Sequence, residues 1–117
     1  MEIRALRKHE KEELIDLKSK VFSTYFDKAR FFKAMTEEDP YYIDELSRVA
    51  VVNGRIVSNV RIVNREMNVR GVLVPMAGIA DVCTHPDYRG RGLATSLLRD
   101  AIRYMERHGF LVSMLFT

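Results

Sequence analysis

Several residue types that often decide the class of a protein are scarce in this sequence of 117 residues. It has no tryptophan and a single cysteine, Cys83, so it can form no internal disulfide, and a lone thiol is typical of a reducing compartment such as the cytoplasm. No apolar run approaches the roughly 18 residues that a membrane span needs, and the opening MEIRALRKHEKEE lacks the apolar core of a signal peptide. No histidine–cysteine spacing of the zinc type occurs, so we expect no metal site.

The residues that are abundant are those of a small globular domain. Apolar residues make up 47% of the chain and charged residues 30%, and a chain of this length can bury a single hydrophobic core. The net charge of +3 suits a small anionic ligand. It is too small to indicate a nucleic-acid partner by itself.

The spacing of apolar residues predicts a strand followed by helices in the first third of the chain. Residues 3–6 are expected to form a short strand. The sequence KEELIDLKSKVF at 11–22 places leucine and valine on one face of an amphipathic helix. A second helical piece is expected over 27–35, ending before the Asp-Pro pair at 39–40, since the residue before a proline disfavours the helical conformation.

The middle of the chain predicts strands. RVAVV and RIVSNVRIV, joined by the Asn-Gly pair at 53–54, have the pattern of a hairpin, because Asn-Gly accepts the positive φ values of a tight two-residue turn. In the second arm, alternation puts Ile56 and Val60 on one face and Val57 on the other. The stretch MNVRGVLVPMAGIADVCT at 67–84 is expected to be one further extended segment.

The clearest periodicity lies near the C-terminus. Beyond residue 92, apolar residues recur at helical spacing as far as Met105, and Gly109 is placed to end that helix. This spacing puts Ile102 on the apolar stripe of the helix and Asp100 on its polar arc. Residues 110–116 have the pattern of a buried strand. A strand, a helix and a second strand in this order favour a parallel pair joined by a right-handed crossover. The fold class is therefore mixed α/β, with a central sheet flanked by helices.

The link between the last extended segment and this helix is HPDYRGRGLATSLL at 85–98. The first turn of a helix has backbone N–H groups without helical partners and a partial positive charge. Two glycines let the backbone approach a ligand closely, and two arginines add charge, so the turn predicts a site for an anion such as a diphosphate. The alternative is a simple connection, since the turn fits neither the GK[ST] of a Walker loop nor G-x-G-x-x-G.

The residues around the turn carry a family resemblance. GIADVCTHPDYRGRGLATSLLRDAI at 78–102 resembles the acetyl-CoA motif of the GNAT superfamily of N-acetyltransferases, whose signature Q/R-x-x-G-x-G/A is met by Arg89, Gly92 and Ala94. Three residues before the signature also agree: Val82, Thr84 and Pro86. The phrase GVLVPMAGIADVCTHPDYRGRG looks like the Eis-type branch of the superfamily. The closest match covers residues 71–116.

The resemblance implies a GNAT-like fold with acetyl-CoA as acetyl donor and an amine of a small molecule or protein as acceptor. It implies that residues 1–117 are the acetyl-CoA-binding part of one N-acetyltransferase domain whose C-terminal part is missing. A gap between the parallel strands at 79–84 and 110–116 would admit the coenzyme. The pantetheine arm maps to main-chain groups of Val82, Cys83 and Thr84. The pyrophosphate maps to the backbone of the turn: Arg89, Gly90, Arg91, Gly92, Leu93, Ala94 and Thr95.

The group that moves protons is left open. In the family the acid is often a tyrosine shortly after the last strand present here, a position that lies beyond Thr117. Asp81 is a candidate base acting through water, and a structural carboxylate is the alternative. Cys83 is either a nucleophile or a small buried apolar residue, and no basic partner at a fixed spacing supports the first reading.

Two other classes of function remain as alternatives. One is a non-catalytic acyl-CoA-binding module, or an inactive fragment of such an enzyme. The other is a nucleic-acid binder that uses the arginines of the turn and the helix after it. Acidic residues interrupt those arginines, so we expect no nucleic-acid partner. An unfinished sheet would leave an exposed edge, which makes a homo-oligomer a further expectation to test.

Overall fold

The computed structural model of the chain describes residues 1–22, 30, 38–110 and 112–115. The helix predicted over 27–35 lies, apart from Arg30, outside the described residues. The helices and strands, in chain order, are β1 (Glu2–Ala5), α1 (Lys11–Val21), β2 (Ser47–Val52), β3 (Arg55–Val69), β4 (Val72–Thr84), α2 (Leu93–Arg107) and β5 (Val112–Leu115).

The five strands form one sheet in which spatial order follows chain order, β1-β2-β3-β4-β5. The first four strands are antiparallel neighbours, and β5 lies parallel to β4. The helix α2 makes the crossover between these two parallel strands, as such a pair requires. The mixed α/β class and the parallel pair at the C-terminal end are therefore confirmed.

Two tight hairpin turns join β2 to β4. Asn53 and Gly54 have φ values of 51° and 75°, which confirms the predicted Asn-Gly turn. A second turn of the same kind lies at Arg70 and Gly71, with φ values of 51° and 83°. It divides the stretch that was predicted to be one extended segment, so β3 runs on to Val69 before the chain reverses. Arginine is an unusual residue for a left-handed turn position, which is why the sequence did not reveal this hairpin.

Helices cover both faces of the sheet. In β2, Val49 and Val51 belong to a cluster with Leu14 and Leu17 of α1, whereas Ala50 between them belongs to the cluster under α2. Alternate residues of a strand point to opposite faces, so the two clusters lie on the two sides of the sheet. None of the helices in the described part of the chain is long and apolar enough to cross a membrane.

The predicted faces of β3 were wrong in one respect. Val57 and Val60 belong to the same cluster under α2, and Ile56 belongs to the cluster under α1. The cause is a bulge, because the pairing of β2 with β3 steps from Ser58 to Ile56 and leaves Val57 as an extra residue. A bulge of this kind interrupts strict alternation.

Candidate functional site

A cleft of about 420 Å³ opens where the end of β4 meets the beginning of α2. All of the residues predicted to bind the coenzyme line it except Arg91. Val21 from the end of α1 and Tyr88 from the connecting turn also line it. The described residues that line the cleft are Val21, Val82, Cys83, Thr84, Tyr88, Arg89, Gly90, Gly92, Leu93, Ala94 and Thr95.

The turn before α2 depends on two glycines in the left-handed region. Gly90 has a φ of 77° and Gly92, the N-cap of α2, a φ of 74°. A Cβ atom built on either glycine meets no atom of the described residues within 4 Å, so these residues leave the space above the turn open. The first helical hydrogen bond is donated by the Ser96 N–H to the Gly92 carbonyl at 3.0 Å. The amides of residues 93–95 therefore precede the helical ladder, as an anion site at a helix N-terminus requires.

The two arginines of the turn have different surroundings. Arg89 lines the cleft, and its Nε donates to the Thr84 carbonyl at 3.2 Å. Arg91 stacks over the Tyr88 ring at 4.9 Å, and its Nη2 donates to the Asp87 carbonyl at 3.3 Å. The geometry thus brings Arg89 to the cleft and holds Arg91 against the outer side of the same turn.

His85 is a buried residue that contacts the turn. It is 3% exposed, and its backbone N–H donates to the Val57 carbonyl at 2.7 Å. Its imidazole Nδ1 accepts a hydrogen bond from the Asp87 backbone N–H at 3.1 Å. Burial lowers the pKa of His85, and the neighbouring cations Lys20 and Arg55 lower it further. The imidazole is therefore uncharged at neutral pH, and its contacts are those of a residue that fixes the turn.

The other end of the cleft contains a bulge in β4. Asn59 of β3 pairs with Cys83 and Arg61 pairs with Ala80, so Asp81 and Val82 together oppose a single residue of β3. Asp81 has a φ of 54°, in the left-handed region that non-glycine residues seldom occupy. Such a conformation costs about 1–3 kcal/mol and persists where the surroundings hold it in place.

Among the described residues, three side chains contact Asp81. The Asn59 Nδ2 donates to the Asp81 carbonyl at 3.0 Å, and the Lys18 Nζ lies 3.2 Å from the carboxylate Oδ2. The Arg61 Nη1 lies 3.7 Å from the same oxygen. Lys18 and Arg61 are each 1% exposed. Burial lowers the pKa of Lys18, and the Asp81 carboxylate opposes that shift.

The buried charges continue beyond Asp81. Arg61 also pairs with Asp39 at 3.1 Å, and Arg65 pairs with the same carboxylate at 3.0 Å. These contacts connect α1, β3, β4 and the segment before β2. The prediction that Asp81 acts as a base stays untested.

Cys83 lies in the wall of the cleft as a thiol. It is 4% exposed, and burial raises its pKa to about 12. A nucleophilic cysteine needs the thiolate form, which this environment disfavours at neutral pH. Its main chain is also fixed, since the Ser58 Oγ donates to the Cys83 carbonyl at 2.9 Å.

Among the described residues, no three side chains of histidine, cysteine, aspartate or glutamate are grouped so as to hold a metal ion.

The family follows from a comparison with known domains. Residues 2–117 match the family described as "Acetyltransferase (GNAT) domain". The chain belongs to the GNAT acetyltransferase family. The match covers almost the whole sequence, so the cleft described above lies in a GNAT domain. No curated protein matches the chain at a significant level.

Solved structures share the fold of this GNAT domain. A GCN5-related N-acetyltransferase from Kribbella flavida is 25% identical with a TM-score of 0.79, over 96% of this chain and 28% of that one. Eis1 from Mycobacterium abscessus is 18% identical with a TM-score of 0.76, over 97% and 28%. Glucosamine-6-phosphate N-acetyltransferase from Arabidopsis thaliana is 20% identical with a TM-score of 0.75, over 99% and 81%.

The lengths of these structures differ. The GNAT domain spans little more than a quarter of several of the structures that it matches, the Kribbella protein and Eis1 among them. Eis1 is thus one structural neighbour, and at 18% identity the likeness shows the fold alone.

The residues around Asp81 are the part of the site that sequence reasoning missed. One signal was present: Lys18 follows Leu14 by four residues and precedes Val21 by three, so it interrupts the apolar face of α1. A lysine in that position has to leave the core or find a buried partner there. One such partner, Asp81, is 63 residues away in the chain, and no local pattern connects the two.

Proposed function

We propose that this chain is the acetyl-CoA-binding part of an N-acetyltransferase that transfers an acetyl group to an amine of a small molecule or protein. The observation that carries the proposal is the cleft at Gly90 and Gly92, which belongs to a GNAT domain and has the features of a pyrophosphate site. The finer parts of the proposal are acetyl-CoA as donor, the residues that bind it, and the amine as acceptor.

The residues of the turn fit the nucleotide end of acetyl-CoA. The open space above the glycines leaves room for phosphate oxygens, and the amides of residues 93–95 supply donors at the positive end of the helix dipole. The guanidinium of Arg89 adds a positive charge at the wall of the cleft. Arg91, which stacks on Tyr88, would act at longer range.

The strand fits the pantetheine end. Within the described residues, the pairing of β4 with β5 runs from Met76 to Ile79. The part of β4 that lines the cleft, residues 82–84, lies beyond this paired region. Main-chain groups there can pair with the amides of an extended pantetheine arm as a strand would. Cys83 contributes through its backbone in this proposal, since its thiol is buried and protonated.

The reaction needs no covalent enzyme intermediate. The neutral nitrogen of the acceptor attacks the thioester carbon, the C–N bond forms, and the C–S bond breaks. CoA leaves as a thiolate that takes up one proton, and the acceptor nitrogen gives one up. The described residues contribute by binding and orienting the donor. The location that fits a single buried thiol is the cytoplasm.

The test is a calorimetric titration of the chain with acetyl-CoA. The variant Arg89→Ala, Gly92→Val should bind at least about tenfold more weakly, because it removes a charge and forces a β-branched residue into a left-handed N-cap. Gly54→Val is the matched control, since Gly54 has a φ of 75° in a turn away from the cleft and should leave affinity unchanged.

A folded native chain that does not bind acetyl-CoA contradicts the proposal. A chain that binds acetyl-CoA, but releases no free thiol with any amine of a broad panel, supports the alternative of a non-catalytic acyl-CoA-binding module. Equal loss of affinity in the Gly54→Val control would show that the double variant acts through general destabilisation. Light scattering during the same experiments reports whether the chain forms a homo-oligomer.

A further inference from the structure

Asp81 is the one described non-glycine residue that has a positive φ inside a strand. The other two, Asn53 and Arg70, lie in hairpin turns, where the chain must reverse. The chain does not reverse within β4, which lies between β3 and β5 in the sheet, so a turn does not explain the positive φ of Asp81. A residue with a Cβ atom is strained in this conformation. The strained residue stands directly before Val82, the first residue of β4 in the wall of the cleft.

We propose that Lys18 and Asn59 are positioning residues for acetyl-CoA: by holding Asp81 in its left-handed conformation, they fix the bulge that presents the Val82 main chain to the acetyl-pantetheine end. This inference rests on the proposed function, and it assigns a role to residues outside the GNAT signature. In this proposal the backbone conformation of Asp81 matters to the site, and the contact of Lys18 with its carboxylate stabilises that conformation.

The contacts to Asp81 come from two directions. Asn59, on the neighbouring strand, holds the carbonyl at 3.0 Å, whereas Lys18, on the helix that covers this face, holds the carboxylate at 3.2 Å. Together they fix both the main chain and the side chain of one residue, which over-determines its conformation. Arg61 stands behind the carboxylate at 3.7 Å. The bulge redirects the strand at the place where the lining of the cleft begins.

Asn59 is costly as a purely structural residue. It is 0% exposed, and its Oδ1 has no hydrogen-bond partner among the described residues. A buried amide of this kind destabilises a fold unless its hydrogen bond does something that an apolar residue cannot do. The bond from its Nδ2 to the Asp81 carbonyl is such a contribution. Lys18 is comparable, since a buried ammonium requires a carboxylate such as that of Asp81.

A pair of ligands separates positioning from general stability. Acetyl-CoA uses both ends of the cleft, whereas adenosine 3′-phosphate 5′-diphosphate is the nucleotide end without pantetheine. Lys18→Met should weaken acetyl-CoA binding about tenfold and leave the nucleotide within about twofold, because the turn does not depend on the bulge. Lys11→Met is the matched control on the same helix, where Lys11 pairs with Asp44 at 3.5 Å instead of with Asp81.

A rescue variant makes the test independent of folding losses. Glycine accepts the left-handed region without help, so Asp81→Gly combined with Lys18→Met should keep the bulge and remove the buried charge pair. We expect this double variant to bind acetyl-CoA within about threefold of the native chain, and Asn59→Ala alone to lose affinity selectively for acetyl-CoA. If Lys18→Met does not fold, the double variant and Asn59→Ala carry the test.

Three outcomes would overturn the inference. Lys18→Met and Asn59→Ala could weaken both ligands equally, or weaken neither, or the double variant could fold and still lose acetyl-CoA selectively. The last outcome would mean that the Asp81 carboxylate itself is needed at the site. A native chain that binds the nucleotide and acetyl-CoA, with variants that behave in one of these ways, leaves the proposed function intact. A native chain that binds neither ligand overturns the proposed function and this inference together.

Discussion

The two ends of the cleft reach the same backbone conformation by opposite means. At the turn, Gly90 and Gly92 have φ values of 77° and 74°, and they are exposed with open space around them. At the bulge, Asp81 has a φ of 54° with a Cβ, in a strand whose neighbours are buried charges. Glycine makes the first conformation inexpensive, whereas the second depends on partners that hold it.

This difference in how the backbone is held suits the two ends of the cleft to different roles in ligand binding. A turn built from glycine can adapt to phosphate oxygens, because its strain is small and its donors are main-chain amides. A bulge held by Lys18 and Asn59 is fixed before a ligand arrives, which suits the end where a reacting carbonyl must be oriented. The strained conformation of Asp81 costs free energy in the folded state. The first comparison is therefore between the stabilities of variants at the bulge and at the turn.

The largest expected effect is the loss of stability on replacing Asp81. Asp81→Val puts a β-branched residue at a positive φ and leaves Lys18 without this carboxylate, so we expect a loss of about 3–5 kcal/mol in the free energy of unfolding. Gly90→Val adds strain, but its Cβ meets no described atom within 4 Å, so it should cost about 1–2 kcal/mol. Urea unfolding followed by circular dichroism measures both.

Asp81→Asn is the control for this measurement. It keeps the shape of the side chain and removes its charge, so it isolates the part of the loss that belongs to the ion pairs with Lys18 and Arg61. A Gly90→Val variant that loses as much stability as Asp81→Val would break the distinction between an adaptable turn and a fixed bulge.

A charge pair remote from the cleft gives the second comparison. Arg4 donates to both carboxylate oxygens of Glu10 at 2.8 and 2.9 Å, and these bonds hold the pKa of Glu10 at about 2. A carboxyl whose pKa is lower in the folded chain stabilises it above the ordinary value of 4.5, and this contribution disappears as the pH falls towards 2. Glu10→Gln should therefore cost about 2 kcal/mol at neutral pH and nothing near the pKa of the folded state.

Unfolding in urea at neutral pH and at about pH 3 tests the Glu10 prediction, because the native chain should lose stability relative to Glu10→Gln as the pH falls. Acetyl-CoA affinity at neutral pH should be equal in the two proteins, whereas Lys18→Met should lose it. Loss of acetyl-CoA affinity in Glu10→Gln would show that weakening an ion pair remote from the cleft also disturbs binding. The effect of Lys18→Met would then not be specific to the bulge.

The two ends of the cleft also differ in how far the sequence predicts them. The turn is formed by consecutive residues, and its glycines and arginines and the start of the following helix all lie within residues 85–98. The bulge depends on the register of β3 against β4 and on a lysine from α1, and no local pattern encodes such a register. The same reason explains the extra residue Val57 in β3.

Buried charges were the other limit of sequence reasoning. The helix α2 was predicted to present Asp100 on its polar arc, but Asp100 is 8% exposed because the Arg48 Nε donates to its Oδ2 at 2.7 Å. Ile102, which the periodicity placed on the apolar stripe, is 50% exposed. Helical periodicity locates the covered face of a helix to within about one residue, and a distant partner decides the residues at its margin.

The smallest expected effect distinguishes the two arginines of the turn. Arg89 lines the cleft, whereas Arg91 is held outside it by the Tyr88 ring and the Asp87 carbonyl. Arg89→Met should weaken acetyl-CoA binding about five- to tenfold, and Arg91→Met about twofold or less, since an exposed charge at longer range is screened by salt. Calorimetry at low and high ionic strength measures both variants, and the small effect of Arg91→Met should vanish at high salt. An Arg91→Met variant that loses as much affinity as Arg89→Met at high salt would mean that Arg91 leaves Tyr88 and contacts the ligand directly, which would make the turn an induced fit.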